Sequence, residues 1–288
     1  KKINEKQMGN STIQALSQMA ADLQTSPRMP VLFIGHGSPM NAIEDNDFVR
    51  NFRKVATEIP VPQAILCISA HWYTAGTFVT STQKTKTIHD FGGFPPELFA
   101  VQYPAPGSLE LAKETQALLS SDTHVELSEA WGLDHGAWSV LIHLYPEAKI
   151  PVVQLSIDYT QPPAFHAALG AQLRALRDKG VLILGSGNIV HNLRKVAFHR
   201  FEVGFGYDWA LEAQETLNQK IISRDIHALS NYHQMGTAAQ LAIPSPDHFL
   251  PLLYILGLMD KQDSLELFND EVMAGSLTMT SVKIGFAR

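Results

Sequence analysis

The chain has 288 residues, of which 45% are hydrophobic and 17% charged, so it contains enough apolar material for a sizeable core. This composition excludes a disordered chain, a coiled coil and a collagen-like repeat. The 22 basic and 28 acidic residues give a formal net charge of −6, and no basic run exceeds two residues, so we expect no nucleic-acid partner.

The first 28 residues are predicted to form an N-terminal extension with one amphipathic helix. The apolar positions that recur there at helical spacing are Ile13, Leu16, Met19 and Leu23. We recognise no basic segment followed by an apolar block, so we expect no secretory signal and a cytoplasmic protein. The single cysteine, Cys67, excludes an internal disulfide and a cysteine-based zinc site. The most apolar stretch, 249–259, is too short to span a bilayer, so we expect no membrane contact.

From residue 29 onward, short apolar runs alternate with helical stretches. The predicted strands are 30–34, 64–69, 78–80, 152–157 and 181–184. The predicted helices are 47–57, 108–119, 137–144, 165–179, 207–230 and 249–259. Continuous apolar runs separated by helices are typical of a parallel or mixed sheet that is covered on both faces. The sequence therefore predicts a single α/β domain over 29–288, with a central mixed, largely parallel sheet flanked by helices.

Three of the 12 histidines come directly or closely after predicted strands. They are His36 after the first strand, His71 after the second and His191 after the fifth. Ligands of open α/β sheets bind outside the carboxyl ends of the strands, and imidazole is the commonest metal ligand among side chains. The pattern favours a metal site at this edge of the sheet. The alternative is that each is a hydrogen-bonded turn residue.

Two further histidines lie where loops lead into helices. His135 follows Asp134, which either orients the imidazole for proton transfer or caps the helix. His248 follows Asp247 in a turn with several prolines, which restrict the direction of the side chain.

A long aromatic and proline-rich connection covers residues 89–107. Long loops of this kind are often binding loops, and their aromatic side chains either hold a flat ring or cover the core. The common nucleotide and hydrolase motifs are missing from the sequence: the third glycine of the dinucleotide fingerprint does not follow Gly185 and Gly187, and we find no P-loop, HExxH or Gly-x-Ser-x-Gly segment.

Seven segments together resemble the class III extradiol ring-cleavage dioxygenases, and within them the bacterial 4,5-DOPA extradiol branch. They are 35–41 (GHGSPMN), 69–72 (SAHW), 88–95 (IHDFGGFP), 103–107 (YPAPG), 134–136 (DHG), 186–193 (SGNIVHNL) and 244–248 (PSPDH). The resemblance implies extradiol cleavage of a catechol such as L-DOPA with O₂, giving a ring-opened semialdehyde.

The resemblance also implies a site with one divalent metal ion. The implied metal ligands are His36, His71, His191 and His248, and the implied proton-transfer residues are His135 and His191. Better-known members of the wider family bind Fe²⁺ through two histidines and a glutamate, whereas His248 takes the carboxylate position here. An all-imidazole site also suits zinc, so we expect Zn²⁺ as the bound metal and Fe²⁺ for the O₂ chemistry.

Two alternative functions remain open at the level of the sequence. A zinc-dependent hydrolase would use the same histidines to activate water. A metal-binding protein of the same fold would bind without turnover. Consumption of O₂ distinguishes the dioxygenase from both.

Overall fold

The computed structural model describes residues 28–121 and 123–286. The helix predicted within residues 1–28 therefore lies outside the described residues, apart from Arg28. The strands are β1 (Val31–Gly35), β2 (Ala64–Thr74), β3 (Thr77–Thr80), β4 (Val125–Ser128), β5 (Val152–Asp158), β6 (Val181–Gly187), β7 (Asp263–Phe268), β8 (Val272–Met273), β9 (Leu277–Thr278) and β10 (Ser281–Phe286). The α-helices are α1 (Asp47–Glu58), α2 (Pro96–Phe99), α3 (Leu109–Leu119), α4 (His135–Leu144), α5 (Pro163–Gln172), α6 (Asp208–Ile222), α7 (Ile226–Ser230), α8 (Thr237–Ala242) and α9 (Leu250–Gly257).

Most of these strands belong to one mixed sheet. Its order is β4-β3-β5-β2-β6-β1-β10-β7, eight strands within the described residues. The central neighbours β5, β2, β6 and β1 run parallel to one another, whereas β10 pairs antiparallel with both β1 and β7. The predicted fold class, a single α/β domain with a mixed, largely parallel sheet flanked by helices, is confirmed.

Helices cover both faces of this sheet, which explains why the strand sequences are apolar without alternation. In β1, Leu32 and Ile34 pack into one buried cluster with residues of α1 and α4. Val31 and Phe33 point to the other face, into a cluster with residues of α3, α5, α6 and α9. Successive side chains of a strand point to opposite faces, so both sets must be apolar when both faces are buried.

Two of the predicted helices are wrong in extent. The helical pattern over 207–230 is divided into α6 and α7, because Arg224 adopts a left-handed conformation with φ of 59° and Asp225 caps α7. The pattern over 165–179 changes from α5 to a 3₁₀ helix at Leu173–Lys179, which ends at Gly180 with φ of 73°.

Five strands are absent from the sequence prediction: β4, β7, β8, β9 and β10. β7 alternates between polar and apolar side chains because it lies at the edge of the sheet. A search for continuous apolar runs therefore passes over it. Within the described part of the chain, no helix is both long enough and apolar enough to cross a membrane.

Candidate metal centre

Histidines from distant parts of the chain meet at the carboxyl ends of β1, β2 and β6, which are neighbours in the sheet. His36 follows β1 directly. His71 lies within β2, in a stretch where the register with β5 shifts between Ile68 and Tyr73. Such an irregularity turns a side chain that would otherwise follow the regular alternation. His191 comes a few residues after β6.

The other two histidines approach from helix starts. His135 is the first residue of α4, and His248 lies just before α9. Gly187, the last residue of β6, lets the segment that carries His248 come close to this strand. A Cβ at that glycine would lie 2.1 Å from the His248 carbonyl oxygen. The site therefore draws on three strands and two helices, each part of the packed core.

All five predicted site histidines are brought together. The Nε2 atoms of His36 and His71 are 3.2 Å apart. The ligand atoms of His36, His71 and His135 all lie within 4.8 Å of one another. The His248 ring lies 5.3 Å from that of His36 and 5.0 Å from that of His71, centroid to centroid. His191 stacks on His248 with centroids 3.6 Å apart and an interplanar angle of 8°.

Hydrogen bonds on the outer side of the cluster determine how these imidazoles are presented. Ser186 Oγ donates to the Gly136 carbonyl oxygen at 2.6 Å, so it accepts from His36 Nδ1, 2.9 Å away. Asp247 in the same way accepts from Nδ1 of His248. With the proton on Nδ1, each Nε2 keeps a lone pair that is free to bind a metal.

Asp90 lies between two of the histidines and was not among the residues predicted from the sequence. Its Oδ2 is 3.2 Å from His71 Nδ1, and its Oδ1 is 3.0 Å from His135 Nδ1. The His135 backbone N–H also donates to Oδ1, at 2.9 Å. Burial disfavours ionisation of this carboxyl, but its contacts with His135 and His71 hold its pKa below the usual range.

The sequence left two roles open for Asp134, orienting the His135 imidazole or capping the helix. The structure favours the cap. It caps α4 by accepting from the Ala137 backbone N–H, and it accepts from Ser69 Oγ at 2.6 Å and from Gln154 Nε2 at 2.8 Å. Burial raises its pKa. Its oxygens therefore anchor the start of α4. The carboxylate beside the His135 ring is that of Asp90, in the aromatic loop of residues 89–107.

Electrostatics keep three of these histidines uncharged when no metal is bound. Burial and the neighbouring imidazoles hold the pKa values of His36 and His71 well below the usual value. Burial, followed by the contact with His248, lowers the pKa of His191 to about 3. Neutral imidazole is the form that binds metals, so these side chains are ready to bind at neutral pH.

The cluster lies at the inner end of a cavity of about 380 Å³. The aromatic loop contributes Phe91 and Phe94 to its wall, and the Phe91 ring stands edge-on to His135 with centroids 5.5 Å apart. The mouth is lined by Leu193, Phe198 and Phe201. An apolar cavity with polar groups converging at one end is the usual form of a small-molecule site.

Residues 25–286 match the family described as the catalytic LigB subunit of aromatic ring-opening dioxygenase. The chain belongs to this family. LigB-family membership makes it an enzyme, a metal-dependent extradiol dioxygenase. The residues present fit such a metal, because the nitrogen donors of the histidine cluster suit both Zn²⁺ and Fe²⁺.

Relatives support this LigB-family assignment along nearly the whole chain. A 4,5-DOPA dioxygenase extradiol from Escherichia coli (strain K12) is 47% identical over 268 residues, 91% of this chain and 97% of the relative. A 4,5-DOPA dioxygenase extradiol from Beta vulgaris is 36% identical, and the match covers 87% of this chain and 94% of the relative. The crystal structure of an uncharacterized protein from Escherichia coli K12 superimposes with a TM-score of 0.76 at 43% identity, covering 90% of this chain and all of that one.

Proposed function

We propose that this enzyme opens the ring of a catechol such as L-DOPA with O₂ by extradiol cleavage, giving a ring-opened semialdehyde. The observation that carries the proposal is the convergence of His36, His71 and His248 at the inner end of an apolar cavity, in a chain of a ring-opening family. Relatives from Escherichia coli, Beta vulgaris and Mirabilis jalapa are described as 4,5-DOPA dioxygenases.

We propose that one divalent metal ion is held by His36, His71, His191 and His248. Zn²⁺ is the expected metal in the isolated protein, and Fe²⁺ the metal that supports turnover. When bound, Fe²⁺ would supply Lewis-acid binding of the catechol oxygens and redox chemistry toward O₂, whereas Zn²⁺ would supply only the first of these. The remaining chemistry belongs to side chains of the chain itself.

His135 is proposed to take the proton of one catechol hydroxyl and to return it later in the reaction. Asp90 Oδ1 lies 3.0 Å from its Nδ1, and we propose that Nε2 is the atom that faces the substrate. A carboxylate on the far side of an imidazole also stabilises the charged form that arises on proton uptake. His191 is the alternative proton acceptor to His135, in an arrangement where the other three histidines hold the metal; burial keeps its imidazole neutral near pH 7. General bases of this kind contribute about 10²–10⁴-fold in rate.

The apolar wall of the cavity is proposed to orient the substrate. Phe91 and Phe94 offer aromatic surface to a flat ring whose two oxygens face the histidine cluster. Exclusion of water by these side chains strengthens the electrostatic interactions at the diol.

We further propose that residues 29–288 form the catalytic domain, with residues 1–28 as an extension of it, and that the enzyme works in the cytoplasm. A catechol and O₂ are its proposed reaction partners.

The deciding experiment is anaerobic reconstitution of metal-stripped protein with Fe²⁺ or Zn²⁺, followed by air and L-DOPA. O₂ uptake that matches formation of a yellow ring-opened product with Fe²⁺ but not with Zn²⁺ is expected. No uptake with either metal across several catechols would refute ring cleavage. Ester hydrolysis by the zinc form without O₂ would then establish a hydrolase.

A further inference from the structure

The mouth of the cavity carries exposed apolar side chains that the proposed chemistry does not use. Leu193, Phe198 and Phe201 line the cavity and are also exposed to solvent, with 80% of Phe198 accessible. Exposed apolar side chains that continue a cavity wall mark a binding surface. We call these three residues the collar.

The backbone that carries the collar is held in place. Leu193 and Phe198 each begin a short 3₁₀ turn, and Phe201 directly follows the second one. Before the collar, the Asn192 N–H donates to the Ser276 carbonyl oxygen at 3.1 Å, and between the turns the Ala197 N–H donates to the Ala274 carbonyl oxygen at 2.8 Å. A surface that is already ordered loses little conformational entropy when a ligand binds.

Charged partners are scarce along the wall. Among the described residues that line the cavity, Asp90 is the sole carboxylate, and no lysine or arginine is present. Both Asp90 oxygens already contact imidazoles. The arginine and lysine side chains of the two 3₁₀ turns, Arg194, Lys195 and Arg200, do not line the cavity, and Arg200 pairs with Glu202. The wall thus offers no partner for the carboxylate or the ammonium of an amino-acid side chain, and burying such a charge without a partner is costly.

We propose that the collar binds an uncharged apolar substituent of the catechol, so that alkyl- or aryl-substituted catechols are better substrates than amino-acid catechols such as L-DOPA. This inference rests on the proposed function, because it takes the diol to face the histidine cluster and the substituent to face the mouth. The cavity of about 380 Å³ is in the range of sites for ligands larger than a bare catechol, which begins near ~300 Å³.

The test is a series of 4-n-alkylcatechols from methyl to pentyl, with catechol and L-DOPA as references. Anaerobic calorimetry with Zn²⁺-loaded protein measures binding without turnover, and kcat/KM with Fe²⁺ in air measures the reaction. We expect affinity to rise by up to about fourfold for each methylene that the collar buries. We expect L-DOPA to bind at least about tenfold more weakly than 4-propylcatechol, because its charges lose hydration without gaining a partner.

Variants locate the effect at the collar. The double variant Phe198→Ser and Phe201→Ser is expected to flatten the dependence of affinity on chain length. Val61→Ser removes a side chain of matching exposure, 77%, from the loop before β2, at the end of that strand remote from the cavity. It is expected to retain the dependence of the unmodified protein.

The outcomes separate this inference from the function on which it rests. Equal binding across the series, with L-DOPA bound as well as the pentyl compound, would overturn the inference and leave ring cleavage intact. A collar variant that changes oligomeric state in light scattering but keeps the chain-length dependence would also overturn it, and would make the collar a contact between copies. If no catechol consumes O₂ with Fe²⁺, the proposed function fails, and the rise in anaerobic affinity with chain length still decides whether the collar binds apolar groups.

Discussion

At the scale of single residues, the site depends on hydrogen-bond acceptors behind the imidazoles. Ser186 and Asp247 each accept from the Nδ1 atom of one histidine. Asp90 faces two of them, His71 and His135. Acceptors of this kind determine which nitrogen carries the proton and how the ring is oriented, and their loss typically weakens metal affinity or activity by about 10–100-fold.

Asp90→Asn tests this role. The amide keeps the shape of the side chain but removes the negative charge that lies beside two imidazoles. We expect metal affinity, measured by competition with a chelator, to fall by about 10–100-fold while the far-ultraviolet circular dichroism is unchanged. The control is Asp45→Asn, which replaces an exposed carboxylate that is paired with Arg50. This variant is expected to bind metal normally. Unchanged affinity in Asp90→Asn would remove the positioning role.

The proposed division between ligands and proton carriers is also open to test. We expect His135→Ala to retain its metal while kcat falls by about 10²–10⁴-fold, since a general base is lost and a ligand is not. His71→Ala is expected to lose the metal. Metal analysis of both purified proteins decides the matter, because an empty His135→Ala protein would place His135 among the ligands.

At the scale of elements, the start of α4 lies against the end of β2 with little room. A Cβ at Gly136 would come within 2.4 Å of Ser69 Oγ and 2.9 Å of His71 Cδ2. Glycine here lets the helix that carries His135 approach the strand that carries His71. The spacing between a proposed ligand and a proposed acid or base is therefore determined by packing of two elements.

Gly136→Ala is expected to disturb this approach. Alanine normally stabilises a helix relative to glycine by about 1 kcal/mol, but overpacking of a dense site costs about 1–3 kcal/mol. We therefore expect a lower free energy of unfolding together with weaker metal binding. Gly92→Ala is the matched control, because a Cβ there meets no atom within 4 Å. A Gly136→Ala protein that is more stable and binds metal normally would contradict the packing argument.

Elements also show where reasoning from the sequence succeeds. The buried parallel strands β1, β2 and β6 read as continuous apolar runs, and their carboxyl ends correctly located the histidines. The strands at the edges of the sheet, β4 and β7, were missed because one side of each meets solvent and their sequences do not read as apolar runs. The break at Arg224 was missed because a left-handed arginine leaves no signature in the helical periodicity.

At the scale of the whole molecule, the site combines residues that the sequence places far apart. The histidines were predictable because the strands that bring them together are strongly apolar. The partnership of Asp90 with His71 and His135 was not predictable, because it depends on the path of a long loop. The sequence does show Asp90 next to His89 in the aromatic loop. The spacing of the residues does not indicate which side chains Asp90 contacts.

Stability toward acid is a property of the whole molecule that one histidine outside the site influences. His166 is fully buried beside the Tyr254 hydroxyl, 3.0 Å from its Nδ1, and burial lowers its pKa to about 4. The unfolded chain binds a proton at this residue near pH 6.5, whereas the folded chain does so only near pH 4. The free energy of unfolding therefore falls as the pH is lowered through this window, by about 3 kcal/mol for this residue.

His166→Gln removes that contribution. Between pH 7 and pH 4, the metal-free variant is expected to lose about 3 kcal/mol less of its free energy of unfolding than the metal-free unmodified protein. Urea titrations at a series of pH values give the comparison, and the histidine cluster contributes equally to both proteins. The control is His124→Gln, which replaces an exposed histidine beside Glu126. Its free energy of unfolding is expected to change with pH as in the unmodified protein. Parallel pH curves for all three proteins would refute the assignment.

The position of β10 in the sheet has a consequence for biosynthesis. β10 pairs with β1 along the edge opposite β6, yet it is the last strand of the described chain. As the ribosome extends the polypeptide, β1 keeps one open edge until residues 281–286 have emerged, and open strand edges are prone to wrong pairing. The strand that leads into His36 therefore gains its second neighbour only after residues 281–286 have been translated. Until those residues are available, the edge of β1 beside β10 is open to wrong pairing.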